Sequence, residues 1–556
     1  MNIGTFLKNG TNVSRIVLLI GALLGLCSFA YYFQHGMSTL HYDAKAHLVM
    51  ARRVLDSASP GYVQMGAHWL PLIHLLYLPF VWLDAQYRSP LFPCLISVIS
   101  FVASGWLTCR LAIRLTGSAV AGLFAGVMLL ANQNLQFLQS APLTEPVYMV
   151  LSLLALDAWL GWREQTGERL PWLAAVWAAL GALCRYEGWL LLGGIAAWTA
   201  YDAWSGRILR RKAIRAIAVY AGVFALPAVA HFGYIYLRTG DSFFQRVARG
   251  NPAPYETFKR PLLAVVYHLG ELAQVASVVP LLIGVAGVAL CLSLRRERGR
   301  CAPYFLLWLP SLANIAALYW GLMYRVRYSC LLLPAISVFA SLVFARVEAA
   351  RLFMIVSCLT VFALPWVTWY LPHEWAYHFV YPGPGSLWLP AAALLLLLTA
   401  HSMQRYRWFL LILALCGMLL PVFDGEVRAV VAEAREHQDV EPQQKQVLEY
   451  LRRHYDGSGI LIDMGRLAPL MYDSGLPLKE FICHNGDPKD WLRAVAEPRS
   501  HVGWLCAESG DEVWGLLQVD PERADGYSLA VRTESYLLYQ RSPEPSGLRP
   551  RARLLQ

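Results

Sequence analysis

Apolar runs, many of them about as long as a bilayer is thick, recur along the first three quarters of this chain and are separated by short polar or basic breaks. A hydrocarbon core is crossed by roughly 20 apolar residues of helix. On that measure the pattern predicts thirteen spans, near 16–33, 91–109, 119–137, 146–162, 171–184, 188–204, 214–236, 276–294, 302–320, 328–345, 352–370, 387–401 and 408–423. Residues 69–83, "WLPLIHLLYLPFVWL", are apolar but short, with two prolines and a histidine, and predict a re-entrant or interfacial segment. After Asp424 the period changes. Helix-like pieces such as "PQQKQVLEYLRRHY" alternate with strand-like pieces such as "GILIDM", "HVGWLCA" and "SLAVRTESYLLYQR", and this order predicts a small α/β domain with a partly parallel sheet. The expected architecture is a polytopic α-helical membrane domain, 1–423, with an outer loop at 34–90, followed by a soluble α/β domain, 424–556.

Composition agrees with a membrane protein: 57% of the 556 residues are hydrophobic and mean hydropathy is +0.42. The net charge of +10 divides into 31 Lys/Arg against 15 Asp/Glu over 1–423, or +16, and 16 against 22 over 424–556, or −6. The first run follows Lys8 and Arg15 and lacks a small-x-small cleavage site, which reads as a retained signal anchor. An N-terminus inside places the densest basic breaks, "RILRRKAIR" (207–215) and "RRERGR" (295–300), in cytoplasmic loops. An odd number of spans then sends the tail to the outer face of the plasma or inner membrane. Of eleven cysteines, nine fall in apolar segments and read as packing residues; Cys483 and Cys506 lie in the tail and are candidates to pair in an oxidising compartment. The tail holds no glycine-rich phosphate loop and no nucleophile elbow, so it reads as a docking or acceptor-guiding unit.

Charged residues on the outer side run against the positive-inside trend and ask for a reason. The stretch "HYDAKAHLVMARR" (41–53) leaves the first span and at once presents Asp43, Lys45 and His47. Helical spacing puts His47 four residues after Asp43 on one face, aimed into a cavity, while Ala44, Leu48 and Ala51 form the opposite face. Asp43 reads equally as an N-cap for that helix. Glu145 in "LTEP" precedes the fourth span, where it also suits a helix start. Arg52, Arg53, Arg246 and Arg249 add to the outer basic set. Arg185 with Tyr186 and Glu187 in "CRYEG", and Arg325 with Arg327 in "YRVRY", occupy short turns at the outer ends of spans. A charge at that depth costs several kcal/mol unless paired or hydrated, so the alternatives are a pair with Glu187, a lipid headgroup contact or a functional anion site. A carboxylate beside guanidiniums suits one chemistry well: a general base for an incoming hydroxyl and a grip on a departing phosphate. Outside the cell, the donor for such a step is a sugar on a lipid phosphate.

These motifs resemble the GT-C glycosyltransferases, especially the family 39 branch with protein O-mannosyltransferases and lipid A aminoarabinose transferases. The resemblance rests on Asp43 in "HYDAKAH", Glu145 in "LTEP", Arg185 in "CRYEG" and Arg327 in "RVRY", and covers roughly 1–345. It implies an inverting transfer of a sugar from a polyprenyl phosphate to an acceptor hydroxyl on a lipid, glycan or protein. Asp43 would be the catalytic base with Glu145 as a second catalytic acid group, and Arg185 with Arg325 or Arg327 would grip the phosphate. Lys45, His47, His68, Tyr186 and Glu187 complete the expected substrate-binding set, with membrane lipids and no nucleic acid as partners. Family members often carry Asp-Glu at the first motif; Ala44 stands at the second position here, which speaks against a metal, and no cofactor is expected. His68 and His74 read as possible lining of an acceptor path, and His268 with Glu271, joined by His47, as a metal set without diagnostic spacing. The rival from another class is a transporter or flippase of a lipid-linked or anionic substrate, which requires charges near the bilayer midplane and an internal repeat.

Overall fold

The computed structural model describes residues 10–66, 68–165, 169–240, 256–276, 278–293, 295–322, 324–345, 429–435, 441–484 and 488–542. Among them, helix α1 (Gly10–Gln34) leads into α2 (Tyr42–Arg53), the short α3 (Leu72–Val81) and the long α4 (Leu91–Thr116). Then come α5 (Ala119–Leu130), α6 (Thr144–Arg163), α7 (Trp172–Cys184), α8 (Glu187–Trp204) and α9 (Arg210–Thr239). Helix α10 (Pro261–Ala276), α11 (Leu309–Trp320), a 3-10 turn at Val326–Leu332 and α12 (Leu333–Ala345) complete the helical body.

Five described helical stretches are long and apolar enough to cross a membrane: Gly10–Gln34, Leu91–Thr116, Arg210–Thr239, Arg298–Trp320 and Val326–Ala345. A sixth arises if Pro261–Ala276 and Pro280–Ser293, bent by 117°, make one span. The thirteen expected spans are therefore only partly matched. The run at 119–137 breaks at Asn132, whose side chain caps a new turn, Gln133–Leu138, by accepting from Leu135 N at 3.0 Å. The run at 171–184 is a 13-residue helix. The expected spans 352–370, 387–401 and 408–423 lie outside the described residues. Segment 69–83, expected to be re-entrant or interfacial, holds α3, a ten-residue apolar helix with Pro79 inside.

Lipid tails offer helices no hydrophobic reward for pairing, so close packing over small residues does that work. Gly21 and Gly25 of α1 lie against Val102, Phe101 and Leu130, and Gly126 of α5 abuts Val17 and the Gly105 carbonyl. The tightest approach joins α7 to α8. A Cβ on Gly188 would stand 2.5 Å from the carbonyl carbon and oxygen of Gly181, and the hairpin between these two helices is what presents Arg185 and Glu187.

Beyond the helices, α13 (Ala429–Arg435), α14 (Glu441–His454) and α15 (Met464–Ser474) accompany a five-stranded sheet. Its strands are β1 (Ile460–Leu461), β2 (Phe481–Ile482), β3 (Trp504–Glu508), β4 (Tyr527–Arg532) and β5 (Tyr536–Arg541), in the order β2-β1-β3-β5-β4. Strand β1 runs parallel to β2 and β3, while β5 is antiparallel to β3 and β4, so the sheet is partly parallel. Cys483 and Cys506 are both buried, with no disulfide between them. The expected pairing fails because β2 and β3 flank β1 on opposite sides. Two strand spacings, about 10 Å, separate them, whereas a disulfide needs Cα atoms within about 7 Å.

The sheet unit rests on α2. Lys45 Nζ pairs with Asp473 at 2.6 Å and Tyr42 Oη donates to the Gly465 carbonyl at 2.9 Å. The Asp56 carboxylate accepts from the backbone of Leu478 and Lys479 at 3.2 and 3.1 Å. Replacing Gly188 by Ala is expected to lower the thermal unfolding midpoint of the detergent-solubilised protein by an amount matching about 1–3 kcal/mol of overpacking. Gly193→Ala, on the same helix, adds a methyl that meets nothing within 4 Å and should leave the midpoint unchanged.

Candidate active site

The residues that the sequence singled out converge where α2, α6, the α7–α8 hairpin and the 3-10 turn meet. Helix α2 starts at Tyr42, and its cap is His41, whose Nδ1 accepts from Asp43 N at 3.0 Å. Asp43 is therefore not the cap, and its carboxylate is released for other contacts. Glu145 sits in the first turn of α6, and Arg327 in the 3-10 turn that Arg325 precedes.

Arg327 is the hub. Its guanidinium contacts the Asp43 carboxylate through Nη2, Glu145 Oε1 through Nε at 2.9 Å, and Glu433 Oε1 and His41 Nε2 through Nη1 at 2.5 and 2.6 Å. Its backbone N–H also donates to Glu433 Oε2 at 3.1 Å. Glu145 Oε1 is shared with Arg185 Nη1 at 2.8 Å. Arg185 Nη1 further donates to Thr144 Oγ1 at 2.7 Å, and its Nε and Nη2 hold Glu187 at 3.2 and 2.8 Å. Both guanidiniums lie against the Tyr328 ring, at 4.5 Å for Arg185 and 5.1 Å for Arg327.

Asp43, Lys45, His47, His68, Arg185, Tyr186, Glu187 and Arg325 all line one cavity of about 2050 Å³ between the helices and the sheet unit. Asp43 and Arg185 thus share a single chamber. Two expected residues do not line it. Arg327 is 1% exposed and Glu145 0%. With every face of its guanidinium fork engaged by acids or His41, Arg327 is a buried counter-charge rather than a substrate contact, and Glu145 is the carboxylate that bridges it to Arg185. The Arg185–Glu187 pair is also formed, so the bidentate edge of Arg185 is occupied. His68 contributes its carbonyl, which accepts from Tyr186 Oη at 2.7 Å. Arg52 and Arg53, expected to await an anion, instead bind the carbonyls of Val81 and Trp82, and Gln64, respectively. Arg246 and Arg249 lie outside the described residues.

Glu433 and His41 are site residues that sequence reading missed. A signal for Glu433 exists: in "AVVAEAR" it is one of only two charged residues in an apolar helix whose Ala429, Val430, Val431 and Ala434 are buried. His268, Glu271 and His47 form no metal set; among the described residues no group of three or more His, Cys, Asp or Glu side chains is arranged to hold a metal ion. His268 Nε2 pairs instead with Ser311 Oγ at 3.1 Å.

Burial alone pushes the Asp43 carboxyl up, but Arg327, helped by His41, His47 and Arg325, outweighs it and holds the group well below the usual carboxylate range. Glu433 behaves alike: burial raises it, and Arg327 and His41 pull it down to about 2. His47 is driven down to about 4 by burial, against the pull of Asp43 and Glu145. The site thus holds ionised acids beside neutral imidazole.

This helical body with a sheet unit beside a charged cavity is similar in fold to solved structures of ArnT. The crystal structure of ArnT from Cupriavidus metallidurans bound to undecaprenyl phosphate aligns with a TM-score of 0.55 at 13% identity, over 96% of this chain and 99% of that chain. The same protein's apo state aligns with a TM-score of 0.50 at 14% identity, over 90% and 93%. No protein-family profile and no curated protein matches the sequence. The likeness is thus one of fold.

Because Asp43 and Glu433 bind protons less readily folded than unfolded, their stabilisation is complete above pH ~5 and is lost as pH falls toward ~2. The thermal midpoint is expected to drop steadily over that window. Arg327→Met should cost about 3–5 kcal/mol at pH 7, since it strands buried carboxylates, and this deficit should shrink as the pH is lowered; a deficit independent of pH would contradict the hub.

Proposed function

We propose that this protein transfers a sugar from a polyprenyl phosphate carrier to an acceptor hydroxyl at the extracytoplasmic face of the inner or plasma membrane, with inversion at the anomeric carbon. The observation that carries this reading is the shared cavity: an ionised carboxylate, Asp43, faces the same chamber as Arg185, Arg325 and Lys45. The fold it sits in is that of a protein solved with undecaprenyl phosphate bound.

In this mechanism Asp43 takes the proton of the acceptor hydroxyl as its oxygen attacks, and the carrier phosphate leaves with the bonding electrons. A positive field at the phosphate stabilises the charge that develops there. Arg325, partly buried and lining the cavity, is the foremost phosphate contact. Arg185, with its fork already on Glu187, supplies field and rigidity, and Tyr186 and Lys45 complete the rim. Arg327 acts through Asp43 by fixing its carboxylate. The acceptor enters from the sheet side, where Asp463, Arg466, His484, Glu508 and Glu512 line the chamber.

Along α6 the residues between Glu145 and Asp157 carry no charge. Charges gather at helix ends, with Arg163 and Asp202 paired at 2.5 Å at the end of α6 remote from Glu145. A transport site built on midplane charges is less well served by this distribution.

The test is direct. Lipids co-purifying with the protein, identified by mass spectrometry, should include polyprenyl phosphate species. Asp43→Asn should reduce sugar transfer from that lipid fraction by about 100-fold or more while the lipid still co-purifies; unchanged transfer removes Asp43 from the chemistry. Arg325→Ala should weaken retention of undecaprenyl phosphate about tenfold, roughly one charge-assisted contact, and retention equal to wild type rejects its role.

A further inference from the structure

His47 follows Asp43 by one turn on the same face of α2, and both line the cavity. Its Nδ1 lies 3.1 Å from Nε2 of His74 on α3. The His47 ring packs 4.4 Å from Trp69, and Trp69 stacks on His74 with 21° between the ring planes. His47 is 4% exposed and His74 0%. Neither ring is free to turn, and a hydrogen bond between two imidazoles needs a hydrogen on one facing nitrogen and a lone pair on the other.

Two tautomer sets meet this condition, and His74 Nδ1 has no hydrogen-bond partner that would select between them; the set with the hydrogen on His74 Nδ1 is the one that leaves His47 a basic nitrogen toward the cavity. A hydrogen on His74 Nδ1 leaves a lone pair on its Nε2. The His47 Nδ1 then carries the shared hydrogen, and His47 Nε2 is left as a basic nitrogen for the cavity. Asp43 and Glu145 face His47 with negative charge, Arg327 and Arg185 with positive charge, and His231 faces His74.

We propose that His47 is the proton relay of the site: it receives from Asp43 the proton that the acceptor hydroxyl gives up, and His74 is the positioning residue that sets its tautomer. This rests on the transferase reading above. Asp43 is clamped by Arg327 and cannot retain a proton well, so the proton must move on. In the balanced step, the acceptor oxygen forms its bond to the anomeric carbon while the bond from that carbon to the phosphate oxygen breaks. The electron pair leaves on the phosphate. The acceptor proton passes to Asp43, then to His47 Nε2, and the imidazolium formed is balanced by the restored Asp43 carboxylate until it releases the proton to solvent in the cavity.

The experiment uses the full chain in nanodiscs, with the total polyprenyl-phosphate sugar fraction of the source membranes as donor. His47→Ala is expected to lower turnover about 100-fold, the scale of one acid–base group, with the donor KM within about twofold. Over the pH range in which the thermal midpoint shows each protein to be folded, the wild-type rate should fall toward acid pH as His47 becomes protonated, and His47→Ala should lack that limb. His74→Phe should cost about tenfold, and His74→Gln, whose amide oxygen can accept from His47 Nδ1, should recover most of it. Turnover of His47→Ala within about threefold of wild type, or an acid limb that persists in it, overturns the relay and leaves the transferase reading standing. If His47→Ala does not fold, the two His74 variants decide, and equal rates in both overturn the proposal. No transfer by the wild type overturns the transferase reading itself.

Discussion

One guanidinium, that of Arg327, closes this fold. A charge taken from water into a protein interior loses several kcal/mol of solvation, recovered only when partners surround it. Arg327 recovers it by drawing Asp43 from the segment after the first helix, Glu145 from the start of α6 and Glu433 from the helix before the sheet unit. Without it Glu145 would keep only Arg185 and Glu433 only His41 as ion-pair partners, and Asp43 would lose the pair it makes with Arg327. Helix α2, helix α6, the 3-10 turn and the approach to the sheet unit are therefore fixed together by a single side chain, and the position of Asp43 in the cavity is a consequence.

The same hub limits what the cavity can bind. Counting the core alone, Asp43, Glu145, Glu187 and Glu433 outnumber Arg185 and Arg327 by four charges to two. An anion placed among them would meet net repulsion. For the proposed carrier phosphate, the cations that line the cavity outside this acid-rich core include Arg325 and Lys45. Lys45 is itself shared with Asp473 of the sheet unit at 2.6 Å, so the rim on that side is built by both parts of the molecule.

Much of this site was legible in the sequence because membranes make charges expensive: Asp43, Glu145, Arg185 and Arg327 stand out against apolar surroundings. What the sequence hid was direction. "YRVRY" holds two arginines two residues apart, and nothing in the string says that Arg325 turns to the cavity while Arg327 turns inward. That outcome depends on Glu433, more than 100 positions downstream, which no local pattern ties to the turn. The parallel part of the sheet followed from alternating elements, but the cysteine pairing did not, because strand order places β1 between their strands. The expected span count is matched only in part, at one place for a related reason. Hydropathy sees Ala119 to Phe137 as continuous, whereas Asn132 offers its side chain as a cap and starts a new helix.

Helix α2 joins these elements into one argument about how the parts act together. One face carries Asp43 and His47 to the cavity, and its flanks carry Tyr42 and Lys45 to the sheet unit. The cavity lining is mixed: Trp189, Ala313, Ala317 and Leu322 stand with Arg185 and Arg325 on its helical side, and Asp463, Arg466, Glu508 and Glu512 with Leu467 and Trp491 on its sheet side. Under the proposed function such a lining suits an amphiphile, whose apolar tail and charged head each find partners, better than a small polar solute. In that reading the lipid-borne substrate and the polar acceptor meet beside Asp43, the cavity-lining carboxylate among the three that Arg327 holds.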